Sequence, residues 1–142
     1  MLYKVLMTGA QLRIFMEFCA QFYNTFQPGD LTVSFNPAFK RFNYMMFSGV
    51  NYEINISKEP GERIEHLTWP DGTSVKDTDR FHAGVNYYCA NSCLLHYGDV
   101  FREGDELSVL EETDIRSDLG GTVGSEYSDP YGEGRITIHG LD

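Results

Sequence analysis

"LYKVLMTGAQLRIFMEFCAQFYNTF", residues 2–26, holds a change of period that decides the fold. "LYKVL" at 2–6 is a short strand. At Thr8 the pattern switches. Thr8 and Gln11 have the spacing of a capping box, in which the hydroxyl accepts from the N–H three residues on and the amide reaches back. From there Leu12, Phe15, Met16, Cys19, Phe22, Tyr23 and Phe26 recur at helical spacing, while Arg13, Glu17 and Gln21 fall between them. The spacing predicts a helix that runs to "QPGD" at 27–30, where Pro and Gly stop it.

Outward from this unit the chain reads as strands and turns. "NYMMFS" (43–48) leads through Gly49 into "VNYEINI" (50–56), where Val50, Tyr52, Ile54 and Ile56 alternate with polar residues. "EPGE" (59–62) is a turn, "RIEHLTW" (63–69) a strand, "PDG" (70–72) a turn and "RFHAGVN" (80–86) a strand. "CANSCLLHYGDVF" (89–101) predicts a short helix and loop. "DIRSDLGGTVGSEY" (114–127) has Asp114 as an N-cap and modest helical patterning, weakened by three glycines. "GRITIHG" (134–140) closes as a strand. The expectation is one α+β domain, a layered structure with mixed β-sheets flanked by helices. At 142 residues the chain has the ordinary length of one domain, ~100–150 residues.

Composition narrows the function. A net charge of −10 and an isoelectric point near 4.7 argue against binding a nucleic acid polymer, whose phosphates are met by basic surface. A small nucleotide needs only a local pocket and stays possible. No apolar run approaches the ~20 residues of a membrane span, and "MLYKVLMTGA" has no secretory signal architecture. Cys19 lies on the apolar helix face and reads as an inert core thiol. Cys89 and Cys93 are expected to be accessible or paired with each other.

Candidate chemistry is sparse. His66, His82, His96 and His139 are scattered and form no HxxxH or HExxH element. Cys89, Cys93 and His96 resemble zinc ligands in spacing, but CxxC is absent and no fourth ligand stands out, so packed or solvated cysteines are the ordinary reading. "DGTSVKDTD" lacks the carboxylate order of a calcium loop. "LGGTVG" has no strand before it to cradle a phosphate. Ser48, Ser92, Ser108 and Ser125 have no GxSxG context. The pair Tyr87–Tyr88 at the end of "RFHAGVNYY" is different. On a strand, neighbours point to opposite faces, so one of the two can be core while the other lines a cleft.

The ordered set of segments resembles the C-terminal domain of the 5'-nucleotidase family. "YKVLMTGAQLRIFMEF" is similar to its strand–TGaqL–helix opening. In "FSGVNYEINISKEPGERIEHLTWPDGTSVKDTDRFHAGVNYY", Ser48, Gly49, Tyr52, Pro60, Gly61, Arg63, Ile64, Asp71, Gly72, Phe81, Asn86 and Tyr88 fall in step with its later pattern. "LLHYGDVFREGDELSVLEETDIRSDLGG" resembles the downstream part of bacterial bifunctional 2',3'-cyclic-nucleotide phosphodiesterase/nucleotidases, and "GRITI" their closing strand.

The resemblance implies a substrate-binding domain of a metal-dependent nucleotide hydrolase, with nucleoside or nucleotide as ligand. Divalent metal ions and catalytic residues would belong to its own N-terminal metallophosphatase domain, outside this chain, and no cofactor to this domain. In the family two aromatic side chains sandwich the base. Tyr88 matches the second, Asn86 the Asn before it, and Asn43 stands near "SG", where relatives carry Gly. Gly98 and Asp99 match the "GGDG" that follows the Tyr in many relatives, across a short insertion, and Cys89 stands where closer relatives tend to have Arg. The family implies a secreted, periplasmic or cell-wall setting. The rival reading is a non-catalytic cell-surface binding module that has kept the fold and lost the pocket.

Overall fold

A computed structural model of the chain describes residues 2–86, 88–90, 109–113 and 136–139. The chain divides into two compact units, Met1–Phe15 with Lys76–Glu133 and Met16–Val75 with Gly134–Asp142. The division falls inside the first helix.

The first unit is built on a three-stranded antiparallel sheet. Its central strand is β1 (Leu2–Thr8), which runs straight into α1 (Gly9–Ala20). The capping box forms as the sequence predicts. The Gln11 N–H donates to Thr8 Oγ1 at 3.2 Å, and the Thr8 N–H donates to Gln11 Oε1 at 2.9 Å. Two further N–H groups of the first helical turn donate to chain carbonyls, Gly9 to Asp79 and Ala10 to Asp77. The helix start therefore has its orphan donors satisfied without water. β1 pairs antiparallel with β4 (Arg80–Asn86) from Leu2↔Asn86 to Thr8↔Arg80. On its other side lies β5 (Val109–Thr113), with a register shift between Lys4 and Val5. Val5, Met7, Leu12 and Phe15 supply the buried apolar side chains here.

The second unit carries a mixed sheet in the order β3-β2-β6. β2 (Asn51–Asn55) buries Tyr52 and Ile54 in strict alternation. It pairs antiparallel with β3 (Ile64–Thr68) and parallel with β6 (Ile136–His139). β3 breaks the alternation. Ile64 and Leu67 are both buried, three residues apart, and the register slips between Asn51 and Glu53. The extra residue is His66, whose φ of 51° lies in the left-handed region. One inserted residue turns two successive side chains, Glu65 and His66, to the more open side and returns Leu67 to the core.

α1 is shorter than predicted: the apolar period continues to Phe26, yet the helix ends at Ala20. Phe22 and Tyr23 are drawn away by other partners. Their N–H groups make short-range bonds to Cys19 and Ala20, and Tyr23 bridges to Phe35. Phe22 packs on Phe35 at 4.7 Å and on Tyr44 at 5.0 Å, ring centre to ring centre. The abandoned carbonyls go to Arg63, which is fully buried. Its Nη1 donates to Ala20 O at 2.8 Å and Tyr23 O at 2.6 Å, its Nη2 to Thr25 Oγ1, and its Nε to Lys58 O. The Glu17 carboxylate accepts the N–H of both Arg63 and Ile64. A cation at a helix C-terminus also suits the helix dipole.

The expected strand at 43–48 does not form. Arg41–Asn43 is instead a 3-10 turn, followed by irregular chain. The hydroxyl of Tyr52 accepts the Phe47 N–H at 3.3 Å, so this donor bonds to a side chain rather than to a strand ladder. The helix expected at 114–127 lies outside the described residues, as does most of 89–101. Residues 88–90 are helical.

Candidate functional site

β4 ends at Asn86, and residues 88–90 are helical. Asn86 makes this happen. Its Oδ1 accepts the N–H of Cys89, three residues on, at 2.7 Å, as a capping residue does at a helix start. Tyr88 therefore sits in the first helical turn, not on the strand. The alternation argument that placed Tyr87 and Tyr88 on opposite sheet faces does not apply. Tyr88 is half-buried and Asn86 exposed, while Cys89 and Ala90 are buried. In register Asn86 lies opposite Leu2, which in turn pairs with Thr113. The junction thus stands at the end of the sheet where β1 begins and β4 and β5 finish. The α1 N-terminus is at the other end of β1, about 20 Å away for a seven-residue strand, so it cannot serve the same ligand.

The structure brings Asn86 and Tyr88 together and treats the other sequence candidates differently. Asn43 belongs to the second unit and is buried. Its N–H donates to Lys40 O in the 3-10 turn, and its carbonyl accepts the Cys19 thiol at 3.6 Å. Gly98 and Asp99 lie outside the described residues, as do Tyr87, Cys93 and His96. Cys19 is buried as expected. Cys89 is buried too, which corrects the accessible half of the expectation that it is accessible or paired with Cys93, since the Asn86 cap turns it inward; the pairing lies outside the described residues.

Around Cys19 the second unit holds a tyrosine cluster. The hydroxyls of Tyr23 and Tyr44 are 3.1 Å apart. Burial pushes the Tyr44 hydroxyl far above its ordinary value, with Tyr23 adding to the effect. Tyr52 is pushed up to about 12, again by burial. Tyr44 and Tyr52 therefore stay protonated near neutral pH, and the cluster acts as hydrogen-bonding core.

Sequence reading missed one group of polar side chains. Glu53 and Glu65 face each other across β2 and β3, and the bulge places His66 beside them. His66 Nδ1 is 2.6 Å from Glu53 Oε2, and Lys58 Nζ is 2.7 Å from Glu65 Oε1. Asn55 Nδ2 also donates to Glu65. The Glu53 hydrogen bond holds the His66 imidazole above its ordinary value. The signal was present in the sequence: apolar Ile64 and Leu67 three apart inside a strand require an extra residue between them.

Comparison with known proteins places the chain. The family of 5'-nucleotidase C-terminal domains matches residues 1–95, and the chain belongs to that family. The matched stretch includes Asn86 and Tyr88 and stops short of Gly98 and Asp99. A solved protein described as a 5'-nucleotidase from Staphylococcus aureus, in complex with alpha-ketoglutarate, superposes with a TM-score of 0.60 at 21% identity. That match covers 78% of this chain and 21% of the other. The sulfate thiohydrolase SoxB of Thermus thermophilus, in complex with glycerol, superposes at a TM-score of 0.51 and 18% identity, over 99% of this chain and 23% of that one. At such identities the likeness is one of fold, and the chain spans about a fifth of either solved protein. No curated protein sequence matches. Among the described residues no helix is long and apolar enough to cross a membrane.

Proposed function

We propose that this chain is the substrate-binding domain of a metal-dependent nucleotide hydrolase, and that the Asn86–Tyr88 junction receives the nucleoside. Family membership over residues 1–95 is the observation that carries the reading. The geometry is compatible with it. Tyr88 is half-buried on a turn fixed by the Asn86 cap, so the residue is anchored and still partly exposed to solvent. Base–aromatic stacking contributes ~1–3 kcal/mol. The metal ions and the attacking water belong, on this reading, to an upstream domain, and the present domain positions the substrate. A secreted or cell-wall setting goes with the same proposal.

The test is kinetic, in the full-length enzyme. Tyr88→Ala is expected to lower kcat/KM for a nucleotide about 5- to 150-fold, the equivalent of ~1–3 kcal/mol. Hydrolysis of p-nitrophenyl phosphate, which has no base, is expected to stay within twofold. A folded variant that handles both substrates like the parent overturns the assignment of Tyr88. The solved relative named as a sulfate thiohydrolase supports a second reading, in which the same fold presents a substrate without a base. In that case neither nucleotide turnover nor its dependence on Tyr88 is found.

A further inference from the structure

We infer that Glu53, Glu65 and His66 form a surface site for a divalent transition-metal ion of the zinc class, ligated by one imidazole nitrogen and two carboxylates. The donor set is mixed rather than merely acidic. One ligand atom from each residue lies within 4.8 Å of the others, before any ion has drawn them together. An imidazole with carboxylates suits zinc, nickel or copper, whereas calcium and magnesium prefer oxygen alone. Three protein ligands leave zinc a fourth position for water, and the exposure of His66, 75% of its side chain, gives the ion a way in.

The backbone supplies the juxtaposition. In an unbroken strand Glu65 and His66 would point to opposite faces. The bulge puts both on the side of Glu53, with His66 at a left-handed φ of 51°, a region that His, like Asn and Asp, enters more often than most residues. Charge completes the case. Two carboxylates placed directly opposite across strands repel. In the ion-free protein each has its own partner, the Lys58 ammonium on Glu65 and the His66 ring on Glu53. Asn55 also faces the group, through Glu65, and Glu62 and Glu17 act on Lys58 from farther away. A divalent ion meets both carboxylates at one centre. A metal-bound imidazole must be deprotonated at its ligating nitrogen, so affinity rises with pH.

The inference is independent of the nucleotide reading, and its test uses no turnover. The chelator-stripped full chain is titrated with Co(II), read by visible absorption, and then with Zn(II) as competitor. The parent is expected to bind one more ion than His66→Asn, a variant that tolerates the left-handed backbone. Glu53→Gln is expected to weaken binding at that site at least tenfold, and the parent to bind more tightly at pH 8 than at pH 6. In parallel, the His66 ring resonances of the parent are followed by NMR as Zn(II) is added, which requires no variant to fold. Shifted His66 resonances with loss of one ion in His66→Asn support the site. Unmoved resonances, or equal uptake by parent and His66→Asn, overturn it.

Discussion

Replacing Arg63 by Met removes a guanidinium while keeping most of the volume of its stem. Arg63 is fully buried, and its side chain holds the carbonyls of Ala20, Tyr23 and Lys58 and the hydroxyl of Thr25. Two of these acceptors, Ala20 O and Tyr23 O, are in buried hydrogen bonds. Ala20 O keeps the Tyr23 N–H, whereas Tyr23 O loses its guanidinium donor, and a buried acceptor left unsatisfied costs ~1–3 kcal/mol. The part-buried bonds to Lys58 O and Thr25 Oγ1 are lost as well. Together these losses amount to about 3 kcal/mol, a large share of the ~5–15 kcal/mol that holds a domain folded. The backbone bonds from residues 63 and 64 to Glu17 survive the change, so the loss isolates the guanidinium. Arg63→Lys keeps the charge, but a single ammonium cannot span the four acceptors, so an intermediate loss is expected. Urea unfolding followed through Trp69, the chain's only tryptophan, reports on the unit that contains Arg63. The midpoint should fall by roughly 1–3 M for Arg63→Met. A loss below about 1 kcal/mol at unchanged slope would refute the view that Arg63 closes the end of α1.

Other outcomes are as specific. Thr8→Ala should destabilise the protein by ~0.5–2 kcal/mol in the same urea assay, because the capping box loses its acceptor; no change would mean the Gly9 and Ala10 bonds suffice. Cys19 and Cys89 should resist alkylation until the protein unfolds, checked by mass mapping of native and denatured samples. His66 should titrate above ~6.5, and Glu53→Gln should return it toward that value in an NMR titration. Because its folded value is raised, the stabilising effect of this pair is present below the ordinary histidine value and fades as pH rises through the raised one.

The elements that the sequence disclosed share a cause: their signal is local. Thr8, Gln11 and the apolar period that follows define the start of α1 from nearby residues, and the alternation in 50–56 and 80–86 depends on neighbours two apart. The failures depend on distant partners. Nothing within 21–26 says that Phe22 and Tyr23 leave the helix; that follows from Phe35, Tyr44 and a buried Arg63 forty residues on. The strand reading of 43–48 rested on apolar content, and the tight turn at Arg41–Asn43 interrupts it. β5, "VLEET", has no alternation to detect and is a strand because β1 offers it an edge. Of the candidate site, Asn86 and Tyr88 were found by resemblance, while the cap that orients them was not. The asparagine three residues before Cys89 at a strand end was the available clue.

The parallel pairing of β2 with β6 has a consequence for how the chain is made. Tyr52–Asn55 of β2 waits for Ile136–His139, a stretch that leaves the ribosome some eighty residues later. At ~5–20 residues per second the delay is roughly 4–16 s. Throughout that interval β2 has one flank matched by β3 and the other bare, an edge of the sort that recruits strands from other molecules. Closing so long a loop is also slow compared with forming α1 or the β2–β3 pair. Nascent chains halted before residue 136 should therefore be the species that chaperones hold and that aggregate first.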